Sequence, residues 1–160
     1  MIWRDPIYDR TQADIDYAIA KITEWKRLIT RGERVNVIEL KGCLNLSDIT
    51  RIEDNIKYLS DTLNALGYNS HIFYKTWAID GLPDINDVRR ILNNVLEIIE
   101  SYHQPNDVPF IPNSLLTYQD VNSLELNLFK IKQMIDLMIM SFPKSGKLTS
   151  NGLHILPMRR

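Results

Sequence analysis

The stretch that decides the fold is Asn45-Leu-Ser-Asp48-Ile49-Thr-Arg-Ile52-Glu-Asp-Asn55-Ile56-Lys-Tyr-Leu59. Asn45 with Asp48 three positions on has the form of a capping box, in which each residue's side chain satisfies the other's backbone N–H and the acid sits at the positive helix end. Apolar residues then fall one, four, eight and eleven positions after Asp48, which is helical spacing. Leu44 before the cap and Ile49 after it suit a hydrophobic staple that fixes the chain's entry angle.

The same pattern occurs three more times. Thr11 and Asp14 precede Ile15, Ala18, Ile22 and Trp25; Asp84 and Asp87 precede Val88, Ile91, Val95 and Ile98; Thr117 and Asp120 precede Val121, Leu124, Leu128 and Ile131. Leu116 and Val121 form a second candidate staple. Stop signals agree: Gly32, Gly67, Tyr102 to Pro105, and Pro143. Four helices result, each too short to be stable alone, so their stripes must bury against one another. The fold class expected is mainly α: a four-helix bundle with extended connectors and a C-terminal β-hairpin. An up-and-down arrangement places alternate helix starts at opposite ends. Its core would run through Ile15, Ile22, Ile52, Ile56, Leu59, Ile91, Val95, Ile98, Leu124, Leu128 and Ile131.

The four Asp residues lie 34, 39 and 33 residues apart. A solenoid does not follow, because the connectors differ in kind and the likeness is confined to helix starts and apolar spacing; an ancient duplication stays open. Asn55, Asn94 and Asn127 each stand seven residues after their Asp, beside the apolar stripe. They read either as half-exposed boundary residues or as amides that bond neighbouring backbone, or a second subunit, and fix register.

Among the connectors, Val35 to Leu40 is β-prone, and His71 to Trp77 alternates enough to lie extended against the bundle. Asn106 to Ser114 reads as a loop held open by Pro109 and Pro112. Asn151-Gly152 between apolar stretches is a hairpin signal. Residues 1–10 thus form an N-terminal arm, 11–143 the helical domain and 144–160 the hairpin tail.

Composition narrows the partners. With 160 residues and 44% hydrophobic content the chain suits one domain. Nineteen Lys and Arg against 20 Asp and Glu leave a net charge of −1, which gives nucleic acid and anionic lipid no overall field to follow. The lone Cys43 fits synthesis in a reducing cytosol. The longest oily stretch, Met134 to Phe142, is about half the ~20 residues of a spanning helix, and no apolar signal core opens the chain, so a soluble protein is expected.

No chemistry announces itself. His71, His103 and His154 lie in separate connectors without partners at ligand spacing. Lys144 to Thr149 lacks the glycine and hydroxyl spacing of a phosphate loop, and Asn45-Leu-Ser47 serves better as a helix cap than as a glycosylation acceptor. The four Asp residues are accounted for as caps, and an up-and-down bundle would bring at most two together. No catalytic, metal or cofactor site is expected. Connector aromatics and the tail's apolar residues are the candidates for protein contacts: Trp3, Tyr8, Trp77, Phe110, Leu153 and Ile155.

The run from Leu40 to Leu59 resembles a segment of small tail-associated structural proteins of phages and prophages of Gram-positive bacteria. Lys75-Thr-Trp77, Leu82-Pro83, Arg90 to Asn94, the Pro109/Pro112 loop, Leu116 to Asn122 and Ser145-Gly146 resemble the same group in the same order. The resemblance implies a virion component of tail, neck or baseplate, assembled in the host bacterial cytoplasm. Its partners would be other virion proteins and further copies of itself, with no cofactor and no role for nucleic acid or membrane. The alternative is a prophage-encoded helical regulatory or DNA-binding module, raised by Arg89-Arg90 at a helix start. Against it, Glu97 and Glu100 follow on the same helix, where a DNA binder gathers bases on one face.

Overall fold

The computed structural model describes residues 1–78, 81, 83–109 and 111–141. Four helices carry the chain: α1 Gln12–Thr30, α2 Leu46–Ala65, α3 Ile85–Ser101 and α4 Tyr118–Ser141. Each begins one residue after its expected cap. Thr11 and Asp84 accept the N3 amide and take a carboxylate bond in return, and Thr117 with Asp120 makes the same reciprocal pair at 3.1 and 2.9 Å. At α2 the return half dominates. Asp48 accepts from the Asn45 N–H at 2.9 Å, while the Asn45 amide group reaches back to the carbonyls of Leu40 and Cys43. Gly32 and Gly67 terminate α1 and α2 with φ of 78° and 93°. There the amides of Glu33 and Tyr68 bond back to Leu28 and Leu63, a closure that needs the left-handed conformation glycine tolerates.

The expected bundle of four is corrected to a core of three. Ile52, Ile56, Leu59 and Leu63 of α2, Ile91, Val95 and Ile98 of α3, and Leu124, Leu128, Ile131 and Ile135 of α4 form one buried cluster. Helix α2 is central, packing on both α3 and α4. In α1 only Ala18 is buried; Ile15 and Ile22, expected in the core, are half-buried. The staple at Leu116 also fails, since that side chain is 87% exposed, and Leu115 packs on the core instead.

The up-and-down order is overturned as well: α2, α3 and α4 run parallel. Near their starts Arg51 of α2 bonds Glu125 of α4, and Glu53 of α2 bonds Arg90 of α3. At the far end Tyr68, just past α2, meets the Met138 sulfur of α4 and stacks edge-on with Tyr102 at the close of α3. Parallel neighbours need a connector that travels the full helix length, and the segment from Asn69 to Trp77 supplies it. It meets Ser101, Glu97, Asn94 and Asp87 in turn. From Ser101 to Asp87 is about 21 Å at 1.5 Å per residue. Only near-extended chain, at roughly 3.3 Å per residue, crosses that between Asn69 and Lys75. The extended character expected for His71 to Trp77 is thus present, and no strand is formed among the described residues.

The N-terminal arm is the counterpart of that return. It descends the groove between α2 and α4 from Trp3, against Tyr58, to Arg10, against Asp48 and Asn122. The tail hairpin, Pro143, Phe110, Leu153 and Ile155 lie outside the described residues.

Candidate functional site

Asparagines of α2, α3 and α4, three of them buried and Asn122 half-buried, hold the extended segments in place. Asn55 accepts from the Arg4 N–H at 2.9 Å and donates to the Arg4 carbonyl at 2.8 Å. Asn94 does the same with Phe73, and Asn122 with Arg10. Asn127 donates to the Pro109 carbonyl and accepts from Gln104. A primary amide offers one donor and one acceptor side by side, as a neighbouring strand would, so a helix can pair with extended chain. The backbone-bonding reading of Asn55, Asn94 and Asn127 therefore holds, and all three are buried, not boundary residues. The corresponding position in α1 is Lys21. By this mark α1 and its connector are an insertion between the first arm and its helix.

Where the helix starts converge, charges are buried together. Arg10, Asp48, Arg51 and Glu125 are all under 9% exposed. Arg10 reaches Asp48 at 2.9 Å and Glu125 at 3.1 Å; Arg51 reaches Asp48 at 2.6 Å and Glu125 at 2.8 Å. The Ile7 N–H adds a bond to Glu125 at 2.7 Å. Two positive and two negative groups leave the cluster neutral, with each acid shared by both guanidinium groups. Burial alone would raise the Asp48 carboxyl. The backbone bond from Asn45 and the charges of Arg51 and Arg10 outweigh it and hold Asp48 below its ordinary value. Burial would likewise weaken Arg51 as a base, but bonding to Glu125 and Asp48 raises it. A second group links α2 and α3: Arg90 bonds Glu53 and the Phe73 carbonyl, Trp77 donates to Glu53 at 3.3 Å, and Lys75 bonds Asp87 at 2.8 Å.

The starts of α2, α3 and α4 thus lie at one end, where an up-and-down bundle would bring at most two together, yet the carboxylates of Asp48 and Glu125 are fixed in ion pairs with arginine. Their chemistry is that of a latch. Arg10 ties the arm to two helices, and Arg90 ties the return segment to two. The signal was in the sequence: Arg stands three residues after Asp48 and Asp87, and Glu five residues after Asp48 and Asp120. Without the parallel arrangement it could not be paired.

The sequence-derived contact residues are dispersed. Trp3 packs on the core beneath Tyr58, with Lys132 over its ring; Trp77 packs on the core under Lys75. Tyr8 is more open and lies against Phe129. The larger unoccupied apolar surface was not among those candidates. It is on α1 and the connector after it, where Tyr17, Ile19, Ile29, Val37 and Ile38 are each more than half exposed. The sequence marks α1 as a core helix through Ile15 and Ile22 and Val35 to Leu40 as a β-prone connector, so it points to no contact surface there. Gly42 seats α1 on the body: a Cβ there would lie 2.1 Å from the Asp14 carbonyl oxygen and 2.9 Å from the Ala18 Cβ.

Among the described residues no cluster of His, Cys, Asp and Glu suits a metal ion, and no helix is long and apolar enough to cross a membrane. Comparison with family models, curated proteins and solved structures returns no match.

Proposed function

We propose that this chain is a structural assembly protein of a phage or prophage particle, a component of tail, neck or baseplate that works by protein–protein contact in multiple copies. The observation that carries an assembly role is α1. A 19-residue helix stands outside the core, on an insertion that the three-helix body does not need for burial, and keeps large apolar side chains in water. Exposed apolar surface of that kind marks a contact site. The particle itself is supported by the resemblance of residues 40–59 and the later segments to tail-associated proteins. The DNA-binding alternative is weakened, because Arg90 is engaged with Glu53 and the Phe73 carbonyl and is not free for phosphate.

The test is fractionation of particles from the bacterium that encodes the chain. The protein is expected to sediment with intact particles through a density gradient and to remain after a high-salt wash. Recovery only from the soluble fraction of a particle-rich lysate sinks the proposal.

A further inference from the structure

Helix α1 has a seam. Ile15, Ile19, Ile22, Lys26 and Ile29 follow the alternating spacing of four and three that defines the contact line of a coiled coil. At 100° per residue they occupy an arc of about 80°. The body covers one flank of that arc, through Ala18 against Gly42, so Ile15 and Ile22 are half-buried. Ile19 and Ile29 are each 59% exposed. The seam is therefore open at Ile19, on the edge away from Ala18, and at Ile29, near the end of the helix.

Its charges are divided along the helix. Residues 12–20 carry Asp14 and Asp16 and no base. Residues 21–30 carry Lys21, Lys26 and Arg27 against Glu24, a net charge of +2. A parallel partner would set like on like. An antiparallel copy sets the acidic half against the basic half twice over, and the helix dipoles agree with it. Such a surface is complementary to itself, as a twofold contact requires.

We propose that two copies of this chain pair through α1, antiparallel about Ile22, as the first contact of self-assembly. Ile15 then faces Ile29 of the second copy and Ile22 faces its equivalent. Lys26 lies across Ile19 of the second copy; it is exposed, so its stem packs along the seam while the ammonium stays in water. Asp16 and Arg27 stand on the same flank of the seam and meet across the pair. The seam is short, so the dimer forms in the micromolar range and is reinforced when further contacts are made. The inference rests on the multiple-copy part of the function proposed above, not on the particle.

Sedimentation of the full-length protein from about 1 to 100 µM, a range spanning moderate affinities, tests it. The unmodified chain is expected to pass from monomer to dimer. Ile19→Asp with Ile29→Asp should abolish the dimer while leaving the thermal melt of the monomer in place, because both positions are exposed. Asp16→Arg alone and Arg27→Asp alone should each weaken pairing about tenfold, since each change acts at two symmetric sites, and the two together should restore it. An unmodified chain that stays monomeric, a dimer that survives both isoleucine changes, or a charge swap that fails to restore pairing would overturn the proposal. A chain that dimerises in this way but is absent from particles overturns the virion reading alone. A monomeric chain found in particles overturns the pairing alone.

Discussion

Asn94 and Phe73 are the smallest unit of this architecture: one amide and one residue of backbone joined by bonds of 2.9 and 3.0 Å. Without the amide the return segment keeps its packing and the Phe73 C=O keeps Arg90, but the Phe73 N–H is left facing a helix surface that has no partner to offer. Asn94→Ala should therefore cost about 1–3 kcal/mol in urea unfolding, with the neighbouring exposed Asn93→Ala as a control that costs less than about 0.5 kcal/mol. Equal effects would mean the clamp contributes nothing. The buried charges make a stronger demand. Glu125→Gln keeps the shape but leaves Arg10 and Arg51 with one acid between them, and roughly 3–5 kcal/mol is expected for a broken buried pair. The pH dependence follows from Asp48. Its carboxyl is held below the ordinary value in the folded chain, so the unfolded chain takes up a proton first as pH falls. The stabilisation is complete above about pH 4, the unfolded carboxyl's range, and is lost as pH drops through the folded value. Asp48→Asn should flatten that acid limb of the stability profile; an unchanged limb would assign the acid sensitivity elsewhere.

At the scale of elements, starts were legible and directions were not. Thr11, Asn45, Asp84 and Thr117 cap their helices because a side-chain oxygen and an acid three residues apart solve a local problem, whatever the tertiary context. Apolar spacing located the stripes equally well, but a stripe does not say what covers it. Ile22 and Ile56 occupy the same position relative to their Asp, and one is half-buried while the other is fully buried. What separates them is the residue just before: Asn55 clamps an arm, and Lys21 cannot. Parallel packing was illegible because it depends on how the connector pairs, and that pairing uses helix side chains in place of a strand. Burial predicts the consequence. Ile56→Ala should cost about 2–5 kcal/mol and Ile22→Ala distinctly less; comparable losses in thermal melts would return α1 to the core. Gly42→Ala tests the seat of α1 directly, because the new methyl meets backbone that cannot yield without moving the helix. A loss of about 1–3 kcal/mol, typical of overpacking, is expected, with protease cleavage appearing between residues 31 and 41.

For the whole molecule, parallel helices joined by extended returns make each helix and its segment a unit, held sideways by one repeated ion pair. Glu125 of α4 bonds Arg51 of α2, and Glu53 of α2 bonds Arg90 of α3. The same positions at the remaining interface are Leu92 and Ser123, which cannot form the pair. The order of the three helices is thus specified by charge, and α1 takes no part in specifying it. Its insertion leaves and rejoins the body at one place: Lys41 donates to the Asp9 carbonyl at 3.1 Å and pairs with the Asp9 carboxylate at 3.0 Å, and Gly42 touches the first turn of α1. Chain ends that close can be joined by a short linker with little entropy to lose. Replacing residues 15–39 with a short Gly/Ser linker should therefore leave a protein that unfolds cooperatively, keeps Arg10 in its ionic cluster and retains helical circular dichroism less the share of α1. It should also lose concentration-dependent self-association. A replacement that unfolds the remainder would make α1 part of the fold; one that folds and still dimerises would move the contact to another face.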